Sequence, residues 1–259
     1  MLRREVLRRE VKRLWGSGRW MLAEHGPRAL AADAADLVTA YATYPLARRR
    51  FAGETFVFQG RHIPYARHHY NRAWRNERSV ELALAADFLS GLRHRRTLEV
   101  GNVLSHYGSA DHDVLDKYES SPGVVNADVV DFDPPEPYEV IVSISTLEHV
   151  GWDERPREPA KVLAAYANLR RILAPGGAML VTCPVGQNPH LDEYLRAGRL
   201  DFDVLTYLRR RNRANEWDEV GADDVAGSVY GRPFRNANAI AVGLVGPGAG
   251  VIPPPSPAD

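Results

Sequence analysis

The sequence predicts an α/β fold in which a mostly parallel sheet carries helices on both faces. From residue 97 onward, short apolar segments alternate with helical patterns, and this alternation is typical of such sheets. The first apolar segment, TLEV, is followed by Gly101, and the second ends at an acid, Asp116. Residues 159–173 then carry an apolar stripe at helical spacing, which Pro175-Gly176-Gly177 ends before the next apolar segment.

The elements follow in order along the chain. Residues 2–24 and 28–41 predict two helices, and residues 55–59 have strand character. Asn76 is the expected N-cap of a helix over 77–92. Further strands are predicted over 97–100, 113–116, 124–128, 140–144 and 178–183, and in the apolar run that ends at residue 245. Between Pro184 and residue 230 the pattern loosens and predicts no regular element.

Composition indicates the class of protein. A chain of 259 residues, 44% hydrophobic and 25% charged, is long enough for one α/β domain and has the composition of a soluble globular protein. No apolar run approaches the roughly 20 residues that cross a bilayer, and the N-terminal segment MLRREVLRREVKRLW is too charged for a signal peptide. Cys183 is the only cysteine, which excludes an internal disulfide framework. We therefore expect a cytoplasmic protein with no membrane partner.

The formal net charge of zero conceals an uneven distribution. Residues 1–96 contain 19 Lys and Arg against 9 Asp and Glu, whereas the remainder contains 14 against 24. A basic third of this kind suits contact with nucleic acid or with an acidic substrate. Because the arginines are scattered and form no dense block, we interpret them instead as a solvated helical surface that also meets the acidic remainder.

The segment 65–74 is dense in side chains that stack and form hydrogen bonds. Its candidate residues are Tyr65, His69, Tyr70, Asn71 and Trp74. Such a loop ahead of a nucleotide-binding core suits a lid over a substrate. The alternative is a polar loop that seals one end of the sheet.

Five segments stand in an order and at a spacing that mark a family. They are LEVGN, VLDKYE, VNADVVDF, YEVIVSISTLEHV and LRRILAPGGAMLVTCPVG. Through them, residues 97–185 resemble the core of class I S-adenosylmethionine-dependent methyltransferases of the small-molecule type. The resemblance implies a Rossmann-like sheet of seven strands whose last strand is antiparallel, with S-adenosylmethionine as the cofactor. The chain departs from the family's E/D-x-G-x-G-x-G loop, because EVGNVLS retains only Gly101.

The resemblance also assigns cofactor contacts. It places Glu99 and Gly101, with Asn102 in the same loop, near the methionine portion. Asp116 would accept hydrogen bonds from the ribose hydroxyls, although a strand-end turn is its alternative role. Asp128 and Val129 would flank the adenine, with Asp131 and Asp133 as competing acids. The remaining expected cofactor contacts are Lys117, Ser143, Ser145 and Glu148.

The segment SISTLEH follows the fourth strand of this core, where ligands bind in open α/β sheets. Within it, His149 is the expected catalytic base, because a hydroxyl acceptor benefits from a base and histidine takes up protons near neutral pH. The alternative is a histidine that only lines the site. No metal is expected, since the nearby acids and histidines match no specific metal motif: Asp153, Glu154, His190, Asp192 and Glu193.

We therefore expect an enzyme that transfers a methyl group from S-adenosylmethionine to a small-molecule acceptor, a hydroxyl of a sugar or natural product. Two alternatives stay open: an RNA methyltransferase that uses the basic N-terminal third, and a methyltransferase-like binding protein without activity. The expected organisation is an N-terminal helical and lid region (1–96) packed on the core, a cofactor-binding core (97–245) and a disordered tail (246–259). A homo-oligomer is compatible with the sequence.

Overall fold

The computed structural model describes residues 53–108 and 111–246, together with isolated helical positions between residues 27 and 49. The helix predicted over 2–24, most of the one over 28–41, and the tail after Gly246 lie outside the described residues. The described strands are β1 (Thr55–Phe58), β2 (Arg61–Pro64), β3 (Thr97–Val100), β4 (Asp113–Leu115), β5 (Val124–Val125), β6 (Tyr138–Ile144), β7 (Leu173–Pro184), β8 (Val204–Arg210), β9 (Trp217–Val220) and β10 (Ala239–Val245). The helices are α1 (Arg78–Ser90), α2 (Lys161–Ile172), α3 (Pro189–Arg196) and α4 (Ala222–Val225), with 3-10 turns at Tyr70–Arg75, Leu104–His106 and Leu147–His149.

The central sheet has eight strands in the order β5-β4-β3-β6-β7-β10-β8-β9. Strands β3 to β7 are mutually parallel, and β10 runs antiparallel to both of its neighbours, β7 and β8. This confirms the predicted α/β class, the mostly parallel sheet and the antiparallel last strand. The strand order reverses between β3 and β6, which is the arrangement of a Rossmann-like, doubly wound sheet.

The expectation of seven strands is wrong by one. The segment after Pro184, which predicted no regular element, forms α3, β8 and β9, and β9 adds an antiparallel edge strand to β8. Its polar composition conceals the strands because charged side chains stand between buried apolar ones, such as Leu208 and Trp217. An edge strand tolerates such charges, which also protect the edge from pairing with other chains.

Helices cover both faces of the sheet. On one face, α2 packs through a set that includes Val162, Ala165 and Leu169. On the other face, α1 and the β1–β2 hairpin supply a second apolar cluster that includes Val80 and Phe56. All seven residues of β10 are buried, as expected for a strand inside a sheet covered on both sides. Among the described residues, no helix is both long enough and apolar enough to cross a membrane.

Several boundaries differ from the predicted ones for local reasons. The N-cap of α1 is Glu77, one residue after the predicted Asn76, although the Asn76 side chain still accepts a hydrogen bond from the Arg78 amide at 3.0 Å. Strand β5 ends at Val125, short of the predicted residue 128, because the Asn126 side chain leaves the ladder and donates to the carbonyls of Asp116 and Glu119. Strand β7 begins at Leu173, directly after α2, rather than at residue 178.

Candidate functional site

A cavity of about 390 Å³ lies where the strand order reverses, beyond the carboxyl ends of β3, β4 and β6. Ligands in open α/β sheets bind at this switch point. The structure brings eight of the predicted site residues to its lining: Gly101, Asn102, Asp116, Lys117, Asp128, Val129, Ser145 and His149. Further lining residues that the sequence did not single out as site residues are Val100, Val103, Leu115, Tyr118, Ala127, Thr146 and Val150. Asp153 and Glu154, considered above only as metal ligands, also line it.

Gly101 is the residue that lets the loop after β3 turn. Its φ is +85°, a conformation that L side chains rarely adopt, and a Cβ built there would overlap the Thr146 side chain. Glu99 stabilises the same loop by hydrogen bonds: its Oε1 accepts from the amides of Val103 and Leu104 at 2.8 and 2.7 Å. Glu99 is fully buried and does not line the cavity, so its contact with a cofactor stays a prediction.

Asn102 occupies a variable position of the family pattern, directly after Gly101, and Val103 and Ser105 stand where the pattern has its later glycines. Its Nδ2 donates to Glu119 Oε1 at 2.8 Å, and its Oδ1 accepts from the Ser105 hydroxyl. Its backbone amide points to Asp116, with a distance of 3.3 Å to Oδ2. The asparagine side chain is therefore held by Ser105 in its own loop and by Glu119 in the turn after β4.

The two carboxylate oxygens of Asp116 have different surroundings. Oδ1 accepts from the amides of Tyr118 and Glu119, both at 2.8 Å, and so fixes the turn after β4. Within the described residues, Oδ2 has only the long contact from the Asn102 amide. Because a carboxylate oxygen accepts about two hydrogen bonds, Oδ2 retains capacity for a ligand hydroxyl in the cavity.

An ion-pair network closes the other end of the cavity. Lys117 and Lys161 each donate to both Asp128 and Glu154 at distances of 2.6 to 3.0 Å. Burial acts to raise the pKa of Asp128, but the hydrogen bonds from the two lysines outweigh it and lower that pKa to about 2. Asp128 is thus ionised, and its Oδ2 is paired with the two lysines. Its Oδ1 accepts from the Val130 amide and is the oxygen that could make a further contact.

His149 is held by an acid four residues later. Its Nδ1 lies 2.5 Å from Asp153 Oδ2. Because an ionised carboxylate only accepts, Nδ1 carries the hydrogen and Nε2 is the acceptor nitrogen. The His149 Nε2 lies 3.4 Å from the side-chain nitrogen of Gln187, Nε2, and the His149 side chain is 46% exposed. The arrangement is that of an oriented base whose accepting nitrogen is accessible.

Glu148 and Ser143 lie deeper, and neither lines the cavity. Both residues are fully buried, and in the part of the chain that the structure describes neither the Glu148 oxygens nor the Ser143 hydroxyl has a hydrogen-bond partner. Burial, reinforced by the negative charges of Glu81 and Glu77, raises the pKa of Glu148 well above its usual range. The Glu148 side chain therefore favours its neutral form, and its predicted role as a cofactor contact stays a prediction.

Glu81 is a buried acid that the sequence reasoning missed. It extends from α1, and its Oε1 accepts from the hydroxyls of Ser145 and Thr182 at 2.6 and 2.8 Å. Arg78 forms an ion pair with its other oxygen. Ser145 has a φ of +42°, so Glu81 helps to hold a strained residue at the cavity. The available signal was an acid within the apolar stretch VELALAADFL.

The five predicted lid residues do not line the cavity. Tyr70 stacks on His106, with 5.4 Å between ring centroids, in the turn that follows the Gly101 loop. The Tyr65 hydroxyl accepts from the Trp217 amide at 2.8 Å, and Trp74 is buried against Tyr44. Asn71 and His69 lie in the same packed segment. These contacts anchor the segment to its neighbours, and none of them places it over the cavity. The lid therefore stays a prediction.

Metal ligands do not converge in the described part of the chain: there, no three histidine, cysteine or acidic side chains lie close enough to hold an ion. Cys183 is buried, and burial raises the pKa of its thiol well above the usual range. In the described residues, therefore, neither a metal site nor a reactive cysteine indicates a catalytic centre outside the cavity.

Several solved structures resemble this chain at low sequence identity. The N-methyltransferase NodS from Bradyrhizobium japonicum, in complex with S-adenosyl-L-homocysteine, is 15% identical, with 78% of this chain and 96% of that chain covered and a TM-score of 0.42. A SAM-dependent methyltransferase from Archaeoglobus fulgidus is 10% identical, with coverages of 65% and 93% and a TM-score of 0.41. The sugar N-methyltransferase KedS8 from a Streptoalloteichus species is 12% identical, with coverages of 63% and 86% and a TM-score of 0.32. No protein-family model and no curated protein matches the chain.

Proposed function

We propose that this chain is an S-adenosylmethionine-dependent methyltransferase that acts on a small-molecule acceptor. The observation that carries the proposal is the cavity at the switch point of the sheet, because Gly101, Asp116 and His149 meet in its lining. When bound, the cofactor supplies an electrophilic methyl group on a sulfonium. The volume of about 390 Å³ is within the range of small-molecule sites.

The lining suits the parts of this cofactor. Asp116 Oδ2 has the capacity to accept from a ribose hydroxyl, and a charged acceptor strengthens such a bond. Val129 and Ala127 offer apolar surface to a flat base, next to Asp128. At the Gly101 turn the absence of a side chain allows the backbone to approach the amino-acid portion closely. The cofactor contains no phosphate, so a loop without a run of glycines can still serve it.

We propose a hydroxyl as the methyl acceptor and His149 as its base. Nε2 would take the proton that the acceptor hydroxyl loses on methylation, and Asp153 at Nδ1 would stabilise the resulting imidazolium. Positioning of the acceptor oxygen in line with the methyl group contributes the larger share of the acceleration. Glu148 is buried beside His149, with 3.6 Å between its Oε1 and the His149 Nε2, and burial raises the pKa of this carboxyl well above its usual range.

Isothermal titration with S-adenosylhomocysteine tests the cofactor assignment. We expect binding with one site per chain, and we expect Asp116→Ala to weaken it at least tenfold because the charged acceptor is lost. Asp131→Ala removes an exposed acid near the same site and is the matched control, with wild-type affinity expected. A folded wild-type protein that binds no S-adenosylhomocysteine would favour the methyltransferase-like binding protein without activity and would refute the proposal.

A further inference from the structure

A second cavity, of about 280 Å³, lies at the same edge of the sheet and is lined mainly by arginines. They are Arg72, Arg75, Arg210, Arg213 and Arg235, with Phe234 beside them. The lining among the described residues includes no aspartate or glutamate. We call this set the arginine pocket. Five arginine side chains thus meet at one small cavity, and Arg210 among them has no carboxylate partner in the described residues.

Arg210 is the buried member of the arginine pocket and fixes its shape. It ends β8 with only 9% of its surface exposed. Its Nε donates to the carbonyl of Asn212 at 3.1 Å, and its Nη1 donates to the carbonyl of Arg235 at 3.2 Å. The guanidinium also lies over the Phe234 ring, 4.7 Å from the centroid. Side chain and ring together hold the guanidinium plane in one orientation.

The charge of Arg210 is not neutralised by these contacts. Its hydrogen-bond partners in the described residues are neutral carbonyl oxygens, and it forms no ion pair within that part of the chain. A guanidinium has five N–H donors, of which these bonds use two. Burial, with Arg75 adding to it and Glu77 opposing it, lowers the pKa of Arg210 to about 10. A buried cation without a carboxylate partner is costly, and an anion in the adjoining cavity would relieve that cost.

The arginine pocket and the cofactor cavity share one edge of the sheet. Arg210 follows Leu208, which pairs with Ile240, and Ile240 pairs with Pro184 at the carboxyl end of β7. In the sheet order, β8 is three strands from β6, so the carboxyl ends of these two strands lie about 14 Å apart at about 4.8 Å per strand spacing. This separation matches a ligand that places one group in each cavity.

Two structural links join the cavities. The 3-10 turn Tyr70–Arg75 contributes Arg72 and Arg75 to the arginine pocket, and the same turn stacks Tyr70 on His106 in the turn after the Gly101 loop. Helix α1 provides the second link through two acids that are four residues apart. Glu77 accepts from the Ala237 amide beside the arginine pocket, and Glu81 accepts from Ser145 beside the cofactor cavity.

We propose that the arginine pocket binds a phosphate or diphosphate group carried by the methyl acceptor. Planar guanidinium forks match phosphate oxygens in pairs, and several of them together favour a group with more than one negative charge. The pocket would thus anchor the acceptor while its hydroxyl lies near His149. The assignment of the anion to the acceptor rests on the proposed function, whereas anion binding by the pocket does not.

Titration of the full chain with inorganic pyrophosphate, at constant ionic strength, tests the pocket. We expect saturable binding that is at least tenfold tighter than that of acetate. Arg210→Gln should weaken pyrophosphate binding at least tenfold. Since Arg210 is buried and bonds two carbonyls, Arg213→Glu is the second variant: Arg213 is exposed, and reversing its charge should weaken binding as strongly without loss of the fold. Arg93→Gln, an exposed arginine outside the pocket, is the control with wild-type affinity.

The outcomes separate this proposal from the proposed function. Unchanged S-adenosylhomocysteine binding in Arg213→Glu, together with lost pyrophosphate binding, supports the arginine pocket as an independent site. If pyrophosphate binds but S-adenosylhomocysteine does not, the pocket stands and the methyltransferase proposal falls. Non-saturable pyrophosphate binding, or an equal loss in Arg93→Gln, overturns the pocket. Tight binding of a single-stranded RNA that Arg213→Glu abolishes, without saturable pyrophosphate binding, overturns the small-molecule assignment in favour of RNA.

Discussion

Replacement of Gly101 by alanine probes the loop on which the cofactor cavity depends. Gly101 has a φ of +85°, and forcing alanine into the left-handed region costs about 1–2 kcal/mol. The new Cβ would also overlap the Thr146 side chain, and displacing that side chain from its rotamer costs about 0.5–1.5 kcal/mol. We therefore expect Gly101→Ala to lower the free energy of unfolding by about 2–3 kcal/mol. For a domain of this size the melting temperature should fall by about 4–12 °C.

A double-mutant cycle separates the two contributions. Thr146→Ala removes the Oγ1 and Cγ2 atoms that the new Cβ would meet, so Gly101→Ala in that background should cost only the backbone part, about 1–2 kcal/mol. Urea unfolding of the wild type, both single variants and the double variant gives the four required values. If Gly101→Ala changes the stability by less than about 0.5 kcal/mol, the backbone argument for this loop is wrong.

Three further predictions concern the buried acids and the base. Because the folded state raises the pKa of Glu148, wild-type stability should fall as the pH rises above the ordinary carboxyl range, by up to about 1.4 kcal/mol per pH unit. Glu148→Gln should remove that loss in urea unfolding at pH 5 and pH 8. Asp153→Asn should replace the single Nδ1–H tautomer of His149 by a mixture, detected in the ¹⁵N chemical shifts of the ring. Glu81→Gln leaves a buried arginine without its carboxylate and should destabilise the protein by about 3 kcal/mol, whereas Asp87→Asn, in a more exposed pair on the same helix, should cost about 1 kcal/mol or less.

Each of these predictions has a result that contradicts it. A pH dependence of stability that is the same in Glu148→Gln and the wild type would show that another group titrates. An unchanged His149 tautomer in Asp153→Asn would remove the oriented-base argument. Equal costs for Glu81→Gln and Asp87→Asn would mean that burial of the first ion pair is energetically unimportant.

The parallel core and the edge of the sheet that lines the cavity were predictable from the sequence because both depend on local patterns. Apolar segments of strand length, the Pro175-Gly176-Gly177 stop and the acid after β4 are short-range signals, and the structure has β3, β4, β6 and β7 at those places. The prediction failed after Pro184, where β8 and β9 pair across an arginine-rich turn. There β8 forms because it pairs with β10 and is buried in the sheet, which the local composition does not reveal.

The candidate site was predictable to the extent that its residues follow strands. Gly101, Asp116 and Ser145 come directly after a strand, His149 ends the short turn that follows β6, and the topology brings all four to one cavity. Glu81 was not predictable in this way, because it reaches Ser145 from a helix that is 64 residues away in the chain. The arginine pocket was hidden for the same reason: Arg72 and Arg210 are 138 positions apart in the chain and meet only in the fold.

A crystal structure with S-adenosylhomocysteine tests the central claim most directly. The proposal predicts the ligand in the cavity between β3 and β6, with a ribose hydroxyl within hydrogen-bond distance of Asp116 Oδ2 and the sulfur on the side of His149. Ligand that occupies another part of the chain, or ribose hydroxyls that bond to groups other than Asp116, would contradict it.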